Sequence, residues 1–147
     1  MQKEIRQTWF FTQTPQEVWD YLTKPELMEQ WLMKSDFKPE QGHRFRFVFT
    51  PKEGSTYEGT IAGEVLEVRP CTKLAYSWDG QVAGGGRQFN SVVVWTLVSK
   101  EGGTELQLQH TGFTVLEDVR NHSSGWDFCV TRMQGTLNEI QHDNANP

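Results

Sequence analysis

HTGFTVLEDVRNHSSGWDFCVTRMQGTLNEIQ, residues 110–141, decides the fold, because a strand ends inside it and a long helix begins. At about 100° per residue, Trp126, Val130, Met133, Leu137 and Ile140 fall within about 80° of one another, a single apolar stripe on an otherwise polar helix. That stripe requires an apolar surface to lie against. A helix from about His122 to Gln141 would be roughly 30 Å long at 1.5 Å per residue, enough to cross a small domain. The rest of the chain is expected to supply the surface it crosses.

Upstream of this stretch the periodicity changes twice. Residues 3–12 hold Ile5, Trp9, Phe10 and Phe11 among Thr and Gln, which reads as a strand. Thr14-Pro15-Gln16-Glu17 is a capping box with Pro at the first helical position, and Val18, Trp19 and Leu22 follow on one side of a short helix. Pro25 opens a second short helix carrying Leu27, Met28, Trp31 and Leu32. From Gly42 the period becomes two. Arg44 to Thr50 alternates Phe45, Phe47 and Phe49 with Arg44, Arg46 and Val48, and Lys52 to Ser55 reads as a turn. Tyr57 to Arg69 breaks its alternation, so a bulge or bend is expected near Ala62-Gly63 or at Leu66. Lys73 to Asp79 puts Leu74, Tyr76 and Trp78 on one face, Ser91 to Ser99 does the same for Val93, Trp95 and Leu97, and Thr104 to Thr111 for Leu106, Leu108 and His110.

Turns this short join antiparallel neighbours, since a parallel crossover needs a dozen or more residues. The expectation is therefore an α+β, helix-grip fold: a curved six-stranded antiparallel sheet wrapped around the C-terminal helix, with two short helices after the first strand. All 147 residues are read as one domain, with 36% hydrophobic and 12% aromatic content and neither repeat nor low-complexity segment.

Charge and composition exclude several classes. A formal charge of −5, with both signs interspersed, gives no basic stripe for nucleic acid and no attraction to anionic lipid. No run approaches the roughly 18 apolar residues of a spanning helix, and residues 1–7 lack a signal-peptide core, so a cytoplasmic location without membrane association is expected. Cys71 and Cys129 have neither CxxC spacing nor a zinc-site partner and are read as reduced thiols, with no metal or cofactor expected.

Several motifs in order then carry a family resemblance: Thr14-Pro15-x-x-Val18-Trp19; Pro25-Glu26 with Trp31; Gly63-x-Val65 with Pro70; Leu74-x-Tyr76-x-Trp78; Gly103-Thr104-x-Leu106-x-Leu108-x-His110-x-Gly112-Phe113; and Gly125-Trp126. Together they resemble the SRPBCC (START-like) superfamily and, within it, the AHSA-type domain named for the activator of a heat-shock chaperone's ATPase. The resemblance implies a helix-grip fold with a ligand cavity between helix and sheet, and it leaves the reaction open, because the superfamily includes lipid carriers, hormone and flavonoid binders, polyketide cyclases and chaperone cofactors.

The candidate cavity residues are Trp31, Phe45, Phe47, Tyr76, Trp78, Trp95, His110, Phe113, Trp126, Val130 and Met133, more bulk than one helix-sheet seam requires. His110 on the inner face is a candidate ligand partner or base, although a structural histidine outranks that role. The indole N–H groups of Trp78, Trp95 and Trp126 are candidate donors, with core packing an even rival. Arg87 after Gly84-Gly85-Gly86 is read as solvated ahead of gating the cavity mouth or pairing with an anionic group, the glycines lack a phosphate-loop ending, and Glu117, Asp118 and His122 are placed in a loop capped by Asn121 or Ser123. There is no G-x-S-x-G or HExxH motif, Ser91, Ser123 and Ser124 have no evident base, and Glu64, Glu67 and Asp79 show no pairing. No catalytic residue is assigned. Three functions are ranked: binding of a hydrophobic small molecule (aromatic, polyketide or flavonoid, or lipid-like), then a cyclase or hydrolase using His110 and water, then a chaperone cofactor. The last is placed lowest because the additional N-terminal domain that the resemblance leads one to expect is not among these residues.

Overall fold

The computed structural model describes residues 3–50, 55–84 and 86–145, with side chains described through residue 141. Strand β1, Ile5–Phe11, leads into helices α1, Pro15–Thr23, and α2, Pro25–Trp31. The Thr14 side chain accepts from the Glu17 amide while Glu17 reaches back to the Thr14 amide, so the expected capping box starts α1. Strands β2, Lys34–Ser35, β3, Arg44–Val48, β4, Thr60–Arg69, β5, Lys73–Gln81, β6, Gln88–Lys100, and β7, Gly103–Thr111, precede the long helix α3, Leu116–Ala145. The strands form one antiparallel sheet in the order β1-β7-β6-β5-β4-β3-β2.

The sheet therefore has seven strands where six were expected. The extra one, β2, pairs two residues with β3, Lys34 with Val48 and Ser35 with Phe47, and is too short to carry a period of its own. Other ends move too: the strand expected from Tyr57 begins at Thr60, the one expected from Ser91 begins at Gln88, and the one expected to close at Asp79 runs to Gln81. The expected bulge at Leu66 is present, as the β4–β5 register shifts between Val65 and Glu67. Gly63 sits in a close approach, because a Cβ there would lie 2.2 Å from the Ser77 carbonyl oxygen and 2.5 Å from the Phe45 ring. Of the expected turn at Lys52 to Ser55 all but Ser55 lies outside the described residues, as does Gly85 of the triple glycine.

The largest correction concerns α3. It starts at Leu116 rather than about His122, so Glu117, Asp118, Asn121, His122 and Ser123 are helical residues rather than a loop and its caps. Thirty residues make it about 45 Å long. Its stripe is buried at Trp126, Val130, Met133 and Leu137, but Ile140 is 45% exposed, because the helix has by then passed the end of the sheet's apolar face.

Hydrogen bonds fix how helix and sheet cross. At its start, Asp118 and Asn121 bond Tyr57, which precedes β4. Farther along, Ser123 accepts from Gln7, Asp127 from Trp9 Nε1, and Gln134 donates to the Phe10 carbonyl; near the end, Gln141 accepts from Thr12 and Gln13. One helix thus contacts both the β4 side of the sheet and its β1 margin, which requires the sheet to curl around it in the helix-grip manner. Among the described residues no helix is long and apolar enough to cross a membrane.

Met133 is fully buried and Ile140 half exposed on the same helix face. Met133→Ala is expected to destabilise by about 2–5 kcal/mol, and Ile140→Ala by under about 0.5 kcal/mol, in urea denaturation. Equal losses at the two sites would contradict this placement of the helix.

Candidate functional site

The eleven candidate cavity residues divide sharply. Trp31, Phe45, Phe47, Tyr76, Trp95, His110, Phe113, Val130 and Met133 are buried and pack with one another, and none lines the main apolar cleft. Trp31 meets Trp95 edge-on at 6.1 Å, Trp95 meets Trp126 at 5.3 Å and 88°, and Phe45 meets Tyr76 at 5.4 Å and 90°. These are the edge-to-face geometries that aromatic quadrupoles favour. Trp78 and Trp126, with ring centroids 4.9 Å apart, are the two that reach the cleft.

That cleft has a volume of about 350 Å³ and is lined by residues of α3, of β4 and β5, and of the segments after α2 and β3. Its walls are Leu32 and Met33 after α2, Phe49 and Ile61 from the sheet, and Gly125, Phe128, Cys129 and Arg132 along α3. Leu32 and Phe49, read as helix and strand residues, were not among the cavity candidates, and Phe128 and Arg132 were missed because they lie off the apolar stripe of α3, Phe128 being 64% exposed. Burial raises the Cys129 thiol pKa, partly offset by the nearby Arg132 guanidinium, so the thiol is no ready nucleophile.

Two histidines adjoin Trp78 and Trp126, His122 lining the cleft and His110 buried behind it, and their bonds settle their protons. The Trp126 indole N–H, which can only donate, gives its hydrogen to His110 Nδ1 at 2.9 Å. A neutral His110 therefore carries its proton on Nε2, where it donates to Ser91 Oγ at 2.8 Å, and Ser91 in turn donates to the Trp78 carbonyl at 2.7 Å. Ser91 thus does have an imidazole beside it, contrary to the sequence reading. The proton flow is opposite to that of a nucleophilic pair, since His110 donates and the hydroxyl proton is held by a carbonyl. His122 takes the other tautomer: Trp78 Nε1 donates to its Nε2 at 3.2 Å, and its Nδ1 donates to the Asp118 carbonyl at 2.9 Å. The indole donors of Trp78 and Trp126 are thereby committed, and that of Trp95 is given to the Tyr76 hydroxyl at 2.9 Å.

Arg87 is not solvated in the way its sequence context suggests. Its Nη2 lies 2.8 Å from both carboxylate oxygens of Asp118, which is 1% exposed and also accepts from the Tyr57 hydroxyl at 2.9 Å. Burial, reinforced by the hydrogen bond to Asp118, pushes the Tyr57 phenol up to about 12, although the bond from Asn121 opposes it. Among the described residues no group of three or more His, Cys, Asp or Glu is placed to hold a metal ion.

Residues 12–138 match the family model described as activator of Hsp90 ATPase homolog 1-like protein. The chain belongs to the AHSA1 family. A solved structure from Mesorhizobium loti is 31% identical, with a TM-score of 0.78 over 92% of this AHSA1 chain and 97% of its own. The AHSA1 protein of Silicibacter pomeroyi is 18% identical, with a TM-score of 0.78 over 93% and 99% of the two chains, and shares the fold. DynU16, a protein in the dynemicin biosynthetic locus, is 23% identical, with a TM-score of 0.76 over 94% of this chain and 48% of its own. No curated protein matches this AHSA1 chain.

Both histidine pKa values lie below 6.5, His110 well below, through burial first and then the neighbouring His122, and His122 through burial opposed by Asp118. The folded chain then binds fewer protons than the unfolded one below pH 6.5, so stability is full above that pH and falls as acid is added. The expected slope is up to about 1.4 kcal/mol per pH unit for each histidine until its folded pKa is reached. Urea midpoints measured from pH 7 to 5 should fall along this slope, and less steeply in His122→Gln. A flat profile would show that the imidazoles are not held neutral.

Proposed function

We propose that the cleft beside Trp78 and Trp126 binds an apolar, ring-containing small molecule without transforming it. The observation that carries this reading is a cleft of about 350 Å³ walled by two indoles, Phe49, Phe128, Leu32 and Met33. That volume falls at the lower end of the roughly 300–1,000 Å³ typical of small-molecule sites, suited to a ligand of two or three rings. The helix-grip fold supports the same reading, as does the likeness to DynU16, whose locus serves the biosynthesis of a small molecule. The flavonoid or polyketide size expected from the family resemblance fits this volume.

The enzyme reading is weaker, because the imidazole invoked for it is fully buried and has both nitrogens engaged. Activation of a chaperone ATPase, the activity in the family's description, would act through surface contacts, and a pull-down with the chaperone separates it from the binder reading.

Gly125 provides a clean test. It lines the cleft, and a Cβ added there meets nothing within 4 Å. Gly125→Leu should fill the cleft while stabilising the helix by up to about 1 kcal/mol. In ¹H–¹⁵N spectra, the Trp78 and Trp126 indole resonances are expected to shift saturably with a flavone panel, those of Trp31 and Trp95 far less, and Gly125→Leu should abolish the shifts. Indole resonances that stay fixed up to about 1 mM ligand, where binding free energy is only about 4 kcal/mol, would rule the reading out.

A further inference from the structure

The charge inside the cleft is the reverse of the charge on the chain. The protein carries a formal −5, yet among the thirteen residues lining the cleft there is no Asp or Glu and one formally charged side chain, Arg132. Its guanidinium sits 4.9 Å from the centre of the Phe128 ring, held over an apolar wall. Among the described residues no carboxylate lies within 4.0 Å of it, in contrast to Arg87, which Asp118 neutralises.

Apart from the Asn121 amide, which gives one N–H to the Tyr57 hydroxyl, and the Cys129 thiol, the other polar side chains of the cleft are already committed. Tyr57 donates to Asp118, Trp78 to His122, Trp126 to His110, and His122 to a backbone carbonyl. Arg132 is thus the strong donor left for a ligand, and its planar fork suits a carboxylate. An exposed cation lying against an aromatic ring also faces a lower effective dielectric than bulk water, which strengthens its pairing with an anion.

We propose that the ligand of this cleft is an aromatic carboxylate, its rings lying on Trp78, Trp126 and Phe128 and its carboxylate paired with Arg132. This rests on the binding role proposed above and adds the polar group that the ligand must carry. It predicts discrimination between molecules of the same shape.

The test compares 2-naphthylacetic acid with 2-naphthylacetamide by isothermal titration calorimetry on the full chain. The acid is expected to bind about five- to tenfold tighter, the range of a single partly exposed charged contact. Arg132→Gln should bring the acid to the affinity of the amide, while Arg132→Lys should retain part of the preference. Raising the salt from about 0.05 to 0.5 M should narrow the difference in the wild-type chain alone. Equal binding of acid and amide, or a preference that survives in Arg132→Gln, would overturn the carboxylate while leaving the binding role standing. Absence of heat for both, with Trp78 and Trp126 indole resonances also unmoved, would remove the binding role and this inference together. Arg132 is exposed and half covers only Phe128, so unfolding of the variants is not expected, and unchanged urea midpoints would verify that.

Discussion

Apolar packing between a helix and a sheet has no direction, so a 30-residue helix could roll or slide on its bed without losing much buried area. What removes that freedom is the directional bond from the Trp126 indole to His110 Nδ1, continued through Ser91 to the carbonyl of Trp78. It joins α3 to β7, β6 and β5 in one chain of donors and acceptors, all buried. A second bond, from Trp78 back to His122, closes the link onto α3 one turn earlier. Rotating the helix by even one residue would leave several buried polar groups unpaired, each at a cost of about 1–3 kcal/mol. Histidine in this role acts as an adaptor, since each ring accepts from an indole on one side and donates on the other.

The same arrangement explains where open space remains. Aromatic rings in edge-to-face contact fill the middle of the helix-sheet seam, each buried large side chain contributing roughly 1.5–3 kcal/mol. Beside Trp78 and Trp126, α3 has Gly125, where an added Cβ would meet nothing within 4 Å. The cleft is therefore the margin of the aromatic core, with two of the core's indoles as its back wall.

Much of the fold was legible because periodicity reports which face a residue takes. The capping box before α1, the alternation in β3 and β7, and the stripe from Trp126 to Leu137 all follow from local pattern. The start of α3 was not, because Glu117, Asp118, Arg120 and Asn121 look like loop composition; in the structure Asp118 and His122 turn inward, paired by residues distant in sequence. Strand β2 owes its existence to pairing with β3 alone. The Ser91–His110 contact was partly foreseeable. Ser91 has the parity of Val93 and Trp95, and Val93 pairs with His110, so register would have put the hydroxyl diagonally across from the imidazole. Register is what a single sequence withholds. The cleft itself depended on knowing that Phe128 and Arg132, which lie off the apolar stripe of α3, face the same space as Trp78 and Trp126.

The polar contacts that run along β1 have a consequence for how the molecule behaves among its own copies. An open sheet ends in two strands with unpaired backbone, and such margins can recruit further strands into aggregates. Here one margin is β2, two residues long, continued by Arg44–Arg46 of β3, where the Arg46 amide is taken by the Asp36 carboxylate. The other, β1, has its Gln7 and Trp9 side chains tied to Ser123 and Asp127 of α3 and its Phe10 carbonyl occupied by Gln134. The helix that anchors the core thus also serves as a guard rail, keeping a sheet rich in Phe, Trp and Val from growing sideways into its neighbours.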